Sequence, residues 1–186
     1  MKKLVLLTVV VALFATISAT GQSKLVSSKS HIKFFSTTPA ENIEANNTTS
    51  VSTINTATGE IVFSVPMQGF EFEKALMQKH FNGEDFLNTQ EFPKAKLTGK
   101  IINLDKVNFS ADGTYDAHVE GELTIKGVTK PVHEMGTITV KGGKVDASSK
   151  FNITLADYGV TFAKGKPSTN VAKTVEVTLQ AEYAAQ

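Results

Sequence analysis

The strongest constraint on the fold is a strict alternation of apolar and polar residues from Tyr115 to Ile125. The odd-numbered positions are Tyr, Ala, Val, Gly, Leu and Ile, whereas the even-numbered positions are Asp, His, Glu, Glu and Thr. A period of two is typical of a β-strand with one buried and one solvated face. Lys126 and Gly127 predict a tight turn, because glycine tolerates positive φ, and Val128 begins the return strand. A hairpin alone is barely stable in water, so this one must belong to a larger sheet.

The N-terminal residues have the features of a cleaved secretory signal and are set aside before the fold is considered. A short basic start precedes an apolar run at 4–15, and the small residues Ala19 and Gly21 fit a cut before Gln22. We therefore expect a signal peptide at 1–21, cleavage near Gly21, and a periplasmic or secreted product. The remaining stretch, 22–186, is long enough for one domain with a substantial core.

The charge balance excludes several classes of function. Two of the 19 lysines lie in the signal, so 17 basic residues face 18 acidic ones in the remainder. Nucleic acid is not an expected partner, because it requires a strongly basic surface. Every basic residue is lysine, so arginine cannot supply bidentate capture of a phosphate or carboxylate. The chain has no cysteine, which excludes disulfides and thiolate chemistry.

Alternation recurs along the rest of the chain. Strands are predicted near 30–35, 61–67, 94–101, 138–140, 151–155 and 175–183, while the polar stretch 43–53 is only weakly strand-like. The segment 72–81 has helical spacing and predicts one short helix, which Asn82 and Gly83 end. About eight strands joined mostly by short turns predict an all-β antiparallel sandwich or barrel. A barrel of this size holds either packed side chains or one small ligand.

The sequence contains no recognisable catalytic or metal-binding pattern. The histidines at 31, 80, 118 and 133 lack ligand spacing, and no nucleophile elbow, zinc-protease helix or phosphate loop occurs. Glu120 and Glu122 share the solvent-facing side of their strand, which suits solubility better than acid–base chemistry. We expect no enzyme activity, no cofactor and no metal.

Small residues on the predicted inner face bear most directly on function. Ala95, Gly99, Ala117, Gly121 and Ala181 all take inward positions. Side chains of this size fill a lumen poorly, and unfilled apolar volume is costly unless something enters it. Alternatively, the aromatic side chains between 72 and 86 plug the space as an ordinary core. The residues alone leave both interpretations open.

Three stretches resemble the YceI-like family. GELTIKGVTKPV at 121–132 is similar to the family pattern G-x-L-T-I-x-G-V-T-x-P-V. KHFNGEDFLNTQEFP at 79–93 resembles H-L-x-S-x-D-F-F-D-x-x-x-Y-P, and ITLADYGV at 153–160 resembles I-x-R-x-D-F-G-I. The likeness spans essentially the whole chain after the signal.

The resemblance implies an extended lipocalin-like antiparallel barrel, exported to the periplasm, that holds a polyisoprenoid or similar long apolar lipid in its lumen and has no enzyme activity. It therefore favours a cavity over a plugged core. The chain departs from the family at Met77-Gln78, where an arginine–aspartate pair is common, at Leu155, which replaces an arginine, and in the polar stretch 43–53. Cationic groups for an anionic head group are thus missing, whereas binding of an apolar chain is retained.

The residues expected to line the cavity are apolar side chains of the inner strand positions and of the helical segment: Phe63, Val65, Phe70, Phe72, Leu76, Met77, Phe81, Phe86, Leu97 and Leu123. Lys164, Lys166 and Lys173, near the loop 162–171, could guide an acidic head group or a transient contact with a membrane surface. The oligomeric state stays open, a dimer included. The alternative function is a β-sheet protein-interaction module with a filled core and no lipid ligand.

Overall fold

The computed structural model describes residues 23–161 and 171–184, which form ten antiparallel strands and one α-helix. The helix is α1 (Ala75–Asn82), and a short 3₁₀ turn at Leu155–Tyr158 follows the ninth strand. The strands are β1 (Lys24–Thr37), β2 (Asn42–Asn47), β3 (Val51–Asn55), β4 (Glu60–Pro66), β5 (Phe70–Phe72), β6 (Lys94–Ile101), β7 (Gly113–Ile125), β8 (Val128–Lys141), β9 (Lys144–Thr154) and β10 (Thr174–Ala184).

Eight of the strands close into a barrel. Their order is β10-β9-β8-β7-β6-β4-β3-β1, and β1 pairs back onto β10, which removes the free edges. β1 pairs with β3 through its first residues and with β2 through its last, so β2 and β5 extend the wall at one end only. The predicted antiparallel barrel of about eight strands with one short helix is confirmed.

The hairpin that the alternation predicts is the longest ladder of the sheet. β7 and β8 pair from Ile125–Val128 to Gly113–Val140, and odd-numbered residues of β7 face inward. Lys126 and Gly127 both have positive φ, 49° and 75°, as a two-residue turn matched to the twist of the strands requires.

The structure corrects the predicted elements between 43 and 82. The polar stretch 43–53 contributes β2 and β3, because its buried side chains are small polar groups such as Asn47 and Ser52 as well as aliphatic ones. The helix begins at Ala75, three residues later than predicted, since Phe72 lies in β5 and pairs with Ala45 of β2. The helix ends before Gly83, but that glycine has a φ of −68° and does not use the left-handed conformation.

One end of the barrel, which we call the closed end, is tightly packed. β3, β6, β8 and β10 finish here, while β4, β7 and β9 begin. The Tyr183 hydroxyl lies 2.6 Å from Ser52 Oγ, so the buried phenol is hydrogen-bonded. Six inward side chains of this end are at most 5% exposed: Ile54, Ile61, Ile101, Val140, Val145 and Tyr183.

The inward glycines have a different role from the one expected. Gly99 and Gly121 lie opposite each other in the β6–β7 ladder. A Cβ on Gly99 would lie 2.7 Å from the Glu120 carbonyl oxygen, and one on Gly121 would clash with the Thr98 carbonyl. These glycines therefore permit close approach of two strands and do not create space in the lumen. Two of the five small residues predicted to face inward, Ala95 and Ala117, line the interior space.

Some sequence predictions concern residues outside the described part of the chain, namely the signal peptide at 1–21 and the lysines Lys164 and Lys166. Lys173 is described and is exposed. Within 23–161 and 171–184, no helix combines the length and the apolar character that crossing a bilayer requires.

Candidate functional site

The barrel surrounds a cavity of about 740 Å³. Its lining extends from Ile54 and Ile101 at the closed end to Met77 and Phe81 on α1. Inner-face apolar side chains of the strands form most of its wall, as the alternating sequence dictates. A volume of this size lies within the range of about 300–1,000 Å³ that is typical of ligand pockets. The interior is therefore not filled by the protein's own side chains.

The structure brings nine of the ten predicted residues to the cavity wall. These are Phe63, Val65, Phe70, Phe72, Met77, Phe81, Phe86, Leu97 and Leu123.

Leu76 was misplaced by the sequence prediction. It is 62% exposed and does not contact the cavity. Met77 and Phe81 are four residues apart, so they share the inward face of α1, while Leu76 is rotated away by one helical position.

Sequence reasoning missed much of the wall contributed by the second half of the chain. The wall residues that were missed occupy alternate positions of their strands, as the inward residues of β7 do. Extending the inward register from the β7–β8 hairpin to its neighbouring strands could have identified them. The residues of this group are Val119, Ile125, Val132, Glu134, Phe151, Ile153, Val175, Val177 and Leu179. Phe34 of β1 and Tyr158 of the 3₁₀ turn also line the cavity and were not predicted.

A cluster of aromatic rings holds α1 against the barrel. Phe81 of α1 stacks on Phe34 of β1, with ring centroids 5.6 Å apart and planes at 8°. The rings of Phe70, Phe72 and Phe86 lie 5.4, 5.0 and 6.2 Å from that of Phe81. Such pairs contribute about 0.5–1.5 kcal/mol each beyond their burial. The cluster thus forms part of the cavity wall without filling the cavity, in contrast to the plugged core considered above.

Charged residues surround the cavity beside α1. Lys79, His80, Glu84 and Asp85 are exposed and contact the cavity, so its mouth lies here. Near the same mouth, Lys74 Nζ donates a hydrogen bond of 2.6 Å to Glu41 Oε1, which ties the β1–β2 loop to the residue before α1. This hydrogen bond raises the pKa of Lys74.

The wall is also interrupted between β8 and β9. Their ladder runs from Lys141–Lys144 to Gly136–Ser149 and stops there. Beyond that point the Leu155–Tyr158 turn packs beside β8. Glu134 and Tyr158 line the cavity in this region. Burial raises the pKa of the Glu134 carboxyl, and burial followed by the charges of Asp157 and Glu134 raises the pKa of Tyr158.

The described residues that line the cavity are mostly apolar, with a few polar groups among them. In the ranges 23–161 and 171–184, no group of three or more histidine, aspartate or glutamate side chains is placed to hold a metal ion. His133 points outward and lies 3.5 Å from Glu120, on the solvated face of the hairpin. The arrangement can enclose an apolar chain and contact a polar group at Glu134 and Tyr158.

A family model for the YceI-like domain matches residues 18–183. A UPF0312 protein of Shewanella denitrificans is 30% identical over 119 residues, which cover 61% of this chain and 59% of the relative. A UPF0312 protein of Shewanella oneidensis is 34% identical over 99 residues, which cover 50% and 48%. The chain thus spans about half to three-fifths of the length of these curated relatives.

Two solved structures share the fold at low sequence identity. BcnA of Burkholderia cenocepacia superposes with a TM-score of 0.69 at 17% identity and covers 82% of this chain and 95% of its own. A polyisoprenoid binding domain from Saccharophagus degradans, implicated in plant cell wall breakdown, superposes with a TM-score of 0.74 at 13% identity and covers 89% and 99%. At these identities the likeness concerns the fold.

Proposed function

Because this chain belongs to the YceI-like domain family, we propose that it binds a polyisoprenoid or a similar long apolar lipid inside the barrel. The observation that carries the proposal is the cavity of about 740 Å³ with a wall of predominantly apolar side chains. The name of the Saccharophagus degradans relative, a polyisoprenoid binding domain of the same fold, supports it. The role is binding and not catalysis, and the N-terminal sequence supports export to the periplasm or the exterior.

The tail of the lipid should supply most of the affinity. Burying a chain of about 20 carbons yields on the order of 16 kcal/mol before costs, at about 0.8 kcal/mol per methylene. Association costs about 4–15 kcal/mol of this. A neutral hydrogen bond contributes only about 1 kcal/mol net.

The exposed charges at the mouth, including Lys79, could favour a transient contact with a membrane surface during loading.

The direct test is to identify what the protein carries. The protein is purified without detergent and extracted with organic solvent, and the extract is analysed by mass spectrometry. We expect a long apolar lipid, and we expect protein stripped of lipid to take up added geranylgeraniol. A protein that purifies without lipid and also rejects added isoprenoids contradicts the proposal.

A matched pair of tryptophan variants tests whether the cavity is the binding site. Leu97→Trp places a large ring in the cavity, whereas Leu76→Trp makes the same change on the exposed side of α1. If the ring displaces two or more methylenes of the lipid, affinity falls about tenfold or more. We expect this loss for Leu97→Trp alone, measured by lipid titration of folded protein. Equal affinities of the two variants would place the lipid elsewhere.

A further inference from the structure

Glu134 is a carboxylate that faces the lumen of an otherwise apolar barrel. It pairs with Val119 of β7 and shares the inward side of β8 with Val132 and Ile138. Its neighbours His133 and Met135 are exposed, whereas Glu134 itself is half-buried and lines the cavity together with Met135 at the interruption of the wall. A charged group at an inward position costs stability unless it is paired, so its presence calls for a functional explanation.

Glu134 lies where the barrel wall is interrupted. Continuing the β8–β9 register would pair Glu134 with Phe151, but the ladder ends at Gly136–Ser149. The Leu155–Tyr158 turn lies beside β8 instead and brings Tyr158 near enough for the Glu134 charge to raise the pKa of the phenol. A hydrogen-bond acceptor and a phenolic hydroxyl therefore lie in one region of the cavity wall.

Both polar groups have unused hydrogen-bonding capacity. Within the described part of the chain, neither the Glu134 carboxylate nor the Tyr158 hydroxyl makes a hydrogen bond or a salt bridge with another side chain or with the backbone. Yet no fully enclosed polar side-chain atom in the described ranges lacks a partner. The oxygens of Glu134 and Tyr158 are therefore not fully enclosed, and both residues line the cavity.

We propose that Glu134 and Tyr158 form the head-group subsite of the cavity and select a long-chain alcohol over an anionic lipid. The inference rests on the proposed lipid-binding function. The carboxylate accepts a hydrogen bond from the alcohol O–H, and the Tyr158 hydroxyl donates one to the alcohol oxygen, so a single hydroxyl satisfies both groups. A phosphate or carboxylate head group meets the negative charge of Glu134, with the exposed Asp157 beside Tyr158 adding a second one.

Three probes with the same tail separate the contributions. These are geranylgeraniol, its methyl ether and geranylgeranyl diphosphate, titrated into lipid-stripped protein. The ether lacks the O–H donor, and the diphosphate carries negative charge. Hydrogen bonds to charged groups are strong, so we expect the wild type to bind the alcohol about tenfold more tightly than either of the other probes.

Variants of Glu134 assign the preference to that residue. Glu134→Leu removes the acceptor and should abolish the preference for the alcohol over the ether. Glu134→Gln removes the charge at nearly constant volume and should strengthen diphosphate binding about tenfold. Tyr158→Phe removes the donor and should weaken binding of the alcohol while leaving Glu134 in place. Glu122→Gln, which removes the same charge from the exposed outer side of β7, is the control and should leave all three affinities unchanged.

Each outcome separates the subsite from the binding function itself. If wild type and variants bind the three probes equally, lipid binding stands and the subsite is wrong. If Glu122→Gln strengthens diphosphate binding as much as Glu134→Gln, net charge explains the effect and the subsite is again wrong. If no probe binds to any form of the folded protein, the proposed lipid-binding function fails.

Discussion

The two ends of the barrel follow the same alternating pattern but differ in how their inward side chains are buried. At the closed end six of these side chains are at most 5% exposed and belong to one buried cluster. At the other end, which we call the open end because it carries α1 and the mouth, inward residues such as Val65, Leu97 and Phe151 are only half-buried. Their remaining exposure is to the cavity that they line.

The difference shows that a period of two determines which side of the sheet a residue faces but not what it meets there. At the closed end, most of the inward side chains are buried in the core. At the open end, the extra strands β2 and β5 and the helix α1 extend the wall, and the walls stay apart. Stability should therefore depend mainly on the closed end and ligand capacity mainly on the open end.

Isoleucine truncations at the two ends provide the largest expected contrast. Ile54→Ala truncates a side chain that is 1% exposed and belongs to the buried core at the end of the cavity, so it should cost about 2–5 kcal/mol. Ile153→Ala makes the same change at a half-buried position of the open end, where less packed surface is lost, and should cost clearly less. Denaturant unfolding of both variants measures the difference. Equal losses would mean that the open end contributes as much packing as the closed end.

The second prediction concerns a polar network outside the closed end, where β2 turns into β3. Asn47 is fully buried; its amide nitrogen donates to the Pro66 carbonyl at 2.7 Å, and its oxygen accepts from the Thr49 backbone N–H and the Ser50 hydroxyl. Asn47→Ala leaves the buried Ser50 hydroxyl and the partly buried Pro66 carbonyl without this partner, and a buried unsatisfied group costs about 1–3 kcal/mol.

The half-buried neighbour provides the control. The Asn46 side chain bonds to the side chains of His31 and Glu44, neither of which is buried, so Asn46→Ala should cost well under the loss for Asn47→Ala in the same unfolding experiment. A similar loss for both variants would show that the buried network is not what ties β2 to the end of β4.

The extent to which the sequence predicts this molecule follows from the same comparison. Where strands have one dry and one wet face, as in β6 and β7, alternation was sufficient, and Lys126-Gly127 located the turn. In β2 and β3 it was not sufficient, because the interior there contains hydrogen-bonded Asn47 and Ser52, which polarity alone assigns to the surface.

The candidate site was predicted only for one side of the wall. Residues near the helical segment were found because their aromatic character is conspicuous, whereas Glu134 was missed since a glutamate is expected to face water. Glu134 lies an even number of positions from Val132 and Ile138 in β8, so the period of two would have predicted that it faces inward. Leu76 is the opposite case, a residue that was predicted to line the cavity but is exposed. A helix of eight residues has too few turns for its sequence to determine which side faces the barrel.

The third prediction examines the polar contact of the closed end. Tyr183→Phe removes the hydrogen bond to the buried Ser52 and should cost about 1 kcal/mol at neutral pH. Tyr115→Phe is the control, since its hydroxyl bonds to the Ala111 carbonyl at an exposed position. Thermal unfolding of both variants measures the loss, and a larger effect for Tyr115→Phe would contradict the assignment.

The same tyrosine gives the closed end a pH dependence. Burial raises the pKa of Tyr183 to about 12, whereas tyrosine in an unfolded chain has a pKa of about 10. The folded state keeps this proton while the unfolded state loses it, so wild-type stability falls as pH rises from about 10 to 12. The phenyl ring of the Tyr183→Phe variant does not titrate, and the stability gap between wild type and variant should therefore narrow above a pH of about 10. A constant gap would show that Tyr183 ionises as readily in the fold as in the unfolded chain.

The smallest expected effect tests the open end as an electrostatic environment. Burial raises the pKa of Glu134, so the ionised carboxylate is less stable in the fold than in water. The folded state then binds more protons than the unfolded state just above the ordinary pKa of glutamate, and stability falls as pH rises through that window. Glu134→Gln should therefore raise stability slightly at neutral pH, by under about 0.5 kcal/mol for a group that remains partly solvated. The gain should vanish below the ordinary pKa of glutamate, where both side chains are neutral. Melting temperatures of wild type, Glu134→Gln and Glu122→Gln across this pH range measure the effect. A stability gain of equal size in Glu122→Gln would show that the charge of Glu134 is no more costly to stability than a charge on the outer surface.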